Sequence, residues 1–117
     1  MPHFTRAEAE ALLPTVQPLV EDLRRRVEAF RDLRRRVEAF RRTPSDPVAR
    51  EIRALLEELA GLGVEVKDPG QGLIDFRTMR DGREVYLCWK LGEGARIVFW
   101  HDLETGYAGR HPLDRLN

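Results

Sequence analysis

Apolar residues recur at helical spacing in the first half of this chain and at strand spacing in the second, with the change after Gly63. Thr5 followed by Glu8 has the pattern of a capping box, in which hydroxyl and carboxylate each accept the other residue's backbone amide. A helix therefore opens there. Pro14 and Pro18 have no amide hydrogen, so each is expected to kink that helix or to start the next. From about residue 15 to 42 the positions Val16, Val20, Leu23, Val27, Phe30, Leu33, Val37 and Phe40 advance mostly by threes and fours, one stripe on a long helix. Thr43-Pro44 breaks it. Asp46 as N-cap and Pro47 at the first helical position open a second helix. Its stripe is Val48, Ile52, Leu55, Leu56 and Leu59, and it ends at Gly61.

Beyond Gly63 four strands are predicted, over Val64–Val66, Leu73–Arg77, Glu84–Leu91 and Arg96–Leu103. The turns between them are Asp68-Pro69-Gly70, Asp81-Gly82 and Gly92-Glu93-Gly94. Asp-Gly is a strong two-residue hairpin signal. Closing on Asp81-Gly82 sets Arg80 against Arg83, Arg77 against Tyr86, Phe76 against Leu87, Asp75 against Cys88 and Ile74 against Trp89. The next hairpin, with a loop of two or four residues, sets Leu91 against Arg96, Trp89 against Val98, Cys88 against Phe99, Leu87 against Trp100 and Tyr86 against His101. Opposed residues share a face. One face then holds Ile74, Phe76, Val85, Leu87, Trp89, Leu91, Val98 and Trp100, and is expected to pack on the helices. The other mixes Asp75, Arg77, Met79, Glu84, Tyr86, Cys88, Lys90, Ile97, Phe99 and His101. On this reading Trp100 is a core residue and His101 matters little for stability.

Within the long helix, DLRRRVEAFR at 22–31 is followed by an identical DLRRRVEAFR at 32–41. Ten residues at about 100° each turn the second copy's stripe by about 80° from the first, so both cannot face one partner squarely. The segment 22–42 carries nine arginines against four acids. Glu21–Arg25, Asp22–Arg26, Asp32–Arg36 and Glu38–Arg42 all place the acid four residues before the base, the favoured order for intrahelical pairs. That spacing describes a solvated face better than a nucleic-acid contact. The long helix spans about 40 Å and the second about 21 Å. Part of the long stripe must therefore lie on the sheet or on another chain, which is the argument for a homo-oligomer, a dimer first.

Composition narrows the class. At 117 residues the chain forms a single domain, with a helical half over 5–61, a sheet half over 64–103 and a tail over 104–117. The formal net charge is zero, so nothing in the global field favours nucleic acid or acidic membranes. One cysteine cannot form an intrachain disulfide, which suits a reducing cytoplasm. The N-terminus lacks the basic start and apolar run of a signal peptide. No apolar stretch approaches the ~20 residues of a membrane helix.

Four strings carry a resemblance: FTRAEAEALLP, LGVEVKDPGQGLIDF, REVYLCWKLGE and FWHDLETGYAGRHPL. They resemble the small prokaryotic proteins grouped as domain of unknown function 2203, over nearly the whole chain, with the duplicated helix segment the least similar part. The resemblance implies one small domain of helical hairpin and sheet. It implies no activity and carries over no catalytic residue.

The chemically able side chains concentrate between Glu84 and Leu113, which holds both tryptophans, both tyrosines, the cysteine and two of three histidines. A metal site could use His101 with Cys88, Glu84 or Asp75, although no CxxC or HxxxH spacing is present. A Cys88–His101 dyad would lack an orienting residue and an oxyanion hole. Arg110 and His111, beside Gly106 and Gly109, could receive an anion, but the tail has no phosphate-loop pattern. No complete catalytic constellation can be assembled. The expectation is an α+β domain: a kinked N-terminal helix and an antiparallel helix hairpin on a four-stranded antiparallel meander. Functionally it is read as a cytoplasmic, oligomeric binding or scaffolding module without catalysis or cofactor, open to an unknown protein partner. The alternative is a small-molecule or metal-binding protein, an enzyme included, using Asp75, Arg77, Glu84, Tyr86, Cys88, His101 and Arg110. What separates the two is whether the tail covers the mixed face.

Overall fold

The structure is a computed structural model that describes residues 3–40 and 46–113, with side chains over 3–35 and 47–113. Two helices, α1 (Arg6–Phe40) and α2 (Asp46–Gly61), precede five antiparallel strands: β1 (Glu65–Asp68), β2 (Leu73–Arg80), β3 (Arg83–Lys90), β4 (Phe99–Asp102) and β5 (His111–Pro112). The strands lie in chain order across one sheet, so the fold is α+β. The expected Thr43-Pro44 break, the Glu38–Arg42 pair and the side chains of Val37 and Phe40 lie outside the described residues.

The capping box forms as its sequence implies: Thr5 N–H donates to Glu8 Oε1 at 2.8 Å, and Glu8 N–H donates to Thr5 Oγ1 at 3.1 Å. These bonds hold the Glu8 carboxyl below its usual range. α1 then runs as one helix through Pro14 and Pro18, where separate helices were possible. Its stripe of Ala9, Leu13, Val16, Val20, Leu23 and Val27 is buried in one core with Leu55 and Leu59 of α2 and with Ile74, Phe76, Leu87, Trp89 and Ile97. Tertiary burial of that stripe offsets the acceptors the two prolines leave unpaired. Of the expected intrahelical pairs, Asp22–Arg26 forms at 3.1 Å, and Arg26 also reaches Glu51 on α2. Glu21 instead accepts from Gln17 at 3.2 Å.

The central hairpin has the predicted register along its whole length, from Leu73 opposite Lys90 to Arg80 opposite Arg83. Asp81 and Gly82 both take positive φ, 53° and 77°, as a two-residue primed turn requires. Between β3 and β4 the pairs Tyr86–His101, Leu87–Trp100 and Cys88–Phe99 also match.

Two expectations fail nearby. β4 begins only at Phe99, so Trp89–Val98 and Leu91–Arg96 are not ladder pairs. The backbone there is bonded elsewhere: Ile97 N–H donates to Glu10 Oε2 on α1 at 2.8 Å, and the Trp89 indole donates to Gly94 O at 2.9 Å. Ile97 consequently turns into the core, fully buried, while Val98 is 37% exposed. The faces of these two are exchanged relative to a continued strand. Trp100 stays on the helix-side face but is only half-buried, at the rim of a cavity of about 300 Å³ that it shares with Met79, Leu87 and Leu113. Arg80 and His111 lie against its ring, at 4.7 and 4.8 Å. Among the described residues, none of α1 or α2 lines that cavity.

The fifth strand corrects the count of four. β5 pairs Pro112 with Phe99 and His111 with Trp100, placing part of the tail on the outer edge of β4. An edge strand tolerates Pro112, whose missing donor would break a central ladder. At the other end, Phe4 N–H donates to Arg77 O at 2.7 Å beyond the end of β1, and its ring meets Phe76 edge-on at 5.4 Å.

Ile97→Ala is expected to lower the free energy of unfolding by about 2–5 kcal/mol as a core truncation. Val98→Ala should change it by less than about 0.5 kcal/mol. Urea midpoints of the two variants check this, and the opposite ranking would mean that β4 starts earlier than Phe99.

Candidate functional site

The mixed face owes its shape to the Asp81-Gly82 register. Asp75 on β2 stands opposite Cys88 on β3, and His101 on β4 stands opposite Tyr86, the next residue on that face. β2 and β4 are two strand spacings apart, about 9.6 Å. Asp75 and His101 nevertheless meet across β3: His101 Nε2 lies 3.0 Å from both Asp75 carboxylate oxygens. The small Cys88 side chain leaves the space for that bridge. All three residues are buried, with 0% exposure for Asp75 and Cys88 and 3% for His101.

Hydrogen-bond polarity determines where the proton lies. His101 Nδ1 is 2.7 Å from the backbone oxygen of Asp102, which can only accept, so Nδ1 carries hydrogen. Nε2 faces only the carboxylate, so that contact requires one proton shared between His101 and Asp75. Burial pushes the Asp75 carboxyl up from its usual range, and His101 opposes that rise. Burial, and then the neighbouring Asp75 charge, push the Cys88 thiol up to about 12, with Arg110 acting in the other direction. Cys88 is therefore a protonated thiol, and neither His101 nitrogen is free to take its proton. This arrangement is the reverse of an activated Cys–His dyad, which needs a lowered thiol and an available base.

A second, outer layer surrounds Tyr86. Its hydroxyl donates to Glu65 Oε1 at 2.7 Å and accepts from Arg77 Nη2 at 3.0 Å and Lys67 Nζ at 3.2 Å. Arg77 also donates to Glu65 at 2.7 Å and to Glu84 at 3.1 Å. These carboxylates hold the Arg77 guanidinium charged more firmly than usual. Lys67 lies 4.3 Å from the centre of the Tyr86 ring, and Tyr86 in turn leans on His101 at 5.3 Å. Glu84 is thus occupied by Arg77 and by His3, at 3.1 Å, instead of partnering His101.

The tail closes over this floor. After β4 the chain passes across the mixed face through residues 103–110, including a short 3-10 turn at Tyr107–Gly109, and returns as β5. Arg110 donates to Glu93 at 2.8 Å and approaches Cys88 Sγ at 4.0 Å. Its guanidinium stacks on Phe99 at 3.9 Å and Tyr107 at 4.1 Å. Burial works against the Arg110 charge, and the Glu93 ion pair outweighs it. Between floor and roof lies a cavity of about 130 Å³, lined by Lys67, Leu73, Asp75, Tyr86, His101, Leu103, Thr105, Gly106 and Tyr107.

Of the seven residues the sequence nominates, Asp75, Cys88 and His101 converge, and Arg110 reaches them through Cys88. Arg77 joins only the outer layer, through Tyr86, and Glu84 joins it through Arg77. Sequence reasoning missed Glu65 and Lys67, although two-residue spacing on β1 places both on one face. It also missed Glu93, whose pairing depends on the path of the tail.

His101→Ala should cost about 3 kcal/mol or more, because it strips a buried carboxyl of its partner. This reverses the tolerance expected from the sequence. Glu84→Ala, at a partly exposed and solvent-screened pair, should cost far less. Chemical denaturation of both variants measures the difference. In the folded protein at pH 8, a thiol reagent such as DTNB should leave Cys88 unmodified over hours and react fully once urea is added. Rapid labelling without urea would contradict both its burial and its raised thiol.

No helix among the described residues is long and apolar enough to cross a membrane. No curated protein and no solved structure matches the chain. A family model described as "Uncharacterized conserved protein (DUF2203)" matches residues 3–113, nearly the full length, and the chain belongs to that family.

Proposed function

We propose that this protein binds a small ligand on the mixed face of its sheet, beneath residues 103–110, and works as a binding protein rather than a catalyst. The observation that carries this reading is the convergence of three buried residues, Asp75, Cys88 and His101, two of which, Asp75 and His101, line a cavity shared with Thr105, Gly106 and Tyr107. Burying a carboxylate and an imidazole together is costly for a fold that needs only an apolar core. A polar cluster placed under a separate covering segment and open to a cavity suits ligand capture. The outer layer adds the Lys67 ammonium at the cavity wall. No acid–base pair is left poised, because both His101 nitrogens are engaged and the Cys88 thiol is held protonated.

The scaffolding alternative drew its support from the length of the α1 stripe. From Ala9 to Val27 that stripe is buried by the chain's own sheet and α2, so these residues do not call for a second copy.

Native mass spectrometry of untagged protein purified without chelator tests the proposal. The expected spectrum has one small extra mass per chain that disappears under denaturing infusion. Whole-chain masses or their multiples, with nothing added, would count against a ligand and return the scaffolding reading to first place.

A further inference from the structure

Resting on that reading, we propose that Asp75, Cys88 and His101 bind one divalent transition-metal ion of the zinc class, with a fourth coordination position open to the cavity under Tyr107. The donor set is one carboxylate oxygen, one sulfur and one imidazole nitrogen, one each from β2, β3 and β4, which pair in that order. These atoms all lie within 4.8 Å of one another. In a tetrahedral zinc site, bonds of about 2.0–2.3 Å put neighbouring donor atoms roughly 3.3–3.8 Å apart. Asp75 and His101, at 3.0 Å, already stand near that separation. Side-chain adjustments of about 1 Å would bring in the Cys88 sulfur.

The surroundings match what such a site needs. Metal-ligating histidines characteristically donate their second ring N–H to a carbonyl or carboxylate, which fixes the tautomer and aims the other nitrogen at the ion. His101 does this, with Nδ1 on Asp102 O at 2.7 Å and Nε2 aimed at the cluster. Arg110, 4.0 Å from the sulfur, is placed to donate a hydrogen bond to a ligating thiolate. With carboxylate and thiolate ionised and imidazole neutral, the donors carry two negative charges, which one divalent ion cancels. Oxygen-only ions such as magnesium or calcium are disfavoured by the sulfur and nitrogen donors. Asp75 and His101 also line the cavity, so three protein ligands leave a fourth position on that side for water or a small oxygen donor. Lys67 and Tyr107, on the cavity wall, are the side chains that such a donor would meet.

Cobalt(II) added to chelator-treated, dialysed protein tests the assignment. The expected result is uptake of one equivalent, with intense thiolate-to-cobalt charge-transfer absorption in the near ultraviolet and the strong visible bands of four-coordinate cobalt. Cys88→Ser should lose the charge-transfer absorption, and zinc should bleach the cobalt spectrum of the wild type. Because the wild-type spectrum is read alone, the test survives a variant that fails to fold. Weak visible bands without thiolate absorption would indicate cobalt on surface groups such as His3 or His111 and would overturn the metal site, as would absence of uptake. If cobalt fails while native spectra still show an extra organic mass, the metal inference falls and the ligand-binding reading stands. If both fail, both fall.

Discussion

With φ of 53° at Asp81 and 77° at Gly82, the central hairpin closes with Arg80 opposite Arg83, and that register carries the rest of the structure. A slip of one residue would move every side chain of β2 or β3 to the other face. Ile74, Phe76, Leu87 and Trp89 would then leave the core shared with α1 and α2, and Asp75 and Cys88 would enter it. The same turn that buries the apolar face therefore also assembles the polar one. Stability and site are linked through two residues that touch neither.

The polar cluster is stable only as a unit. A buried carboxylate without its partner would cost several kcal/mol, and so would an imidazolium. Together they share one proton, and the carbonyl of Asp102 satisfies the remaining imidazole N–H. The Tyr86 layer shields the pair on one side, and the tail shields it on the other. Arg110, held between two rings and by Glu93, fastens the tail to the floor. The tail is thus a structural wall of the cluster as well as its cover.

The helical half serves this arrangement at one point in particular. Glu10 on α1 accepts the amide of Ile97, which ends the β3–β4 ladder early and turns Ile97 into the core. The first DLRRRVEAFR copy follows the core through Leu23 and Val27, both buried, whereas Leu33 in the second copy is only half-buried. Phe30, at the end of the first copy, is half-buried as well, so burial along α1 falls off from Val27 onward.

Local chemistry in the sequence determined the capping box, the Asp-Gly turn, the pairing of β2 with β3 and the membership of most of the apolar face. Each depends on residues within a turn or a hairpin, where geometry leaves one solution. The opposition of Asp75 and Cys88 was legible for the same reason. Tertiary structure decided what local rules leave degenerate. Whether Ile97 or Val98 faces the core depends on Glu10, 87 residues away along the chain. A two-residue strand such as β5 has no periodicity to read, and its existence depends on the free edge of β4. The meeting of Asp75 and His101 spans two strand spacings, beyond the reach of any pairwise register. It required the small residue at position 88 and a covering tail, a coincidence of distant segments that only the folded chain brings about.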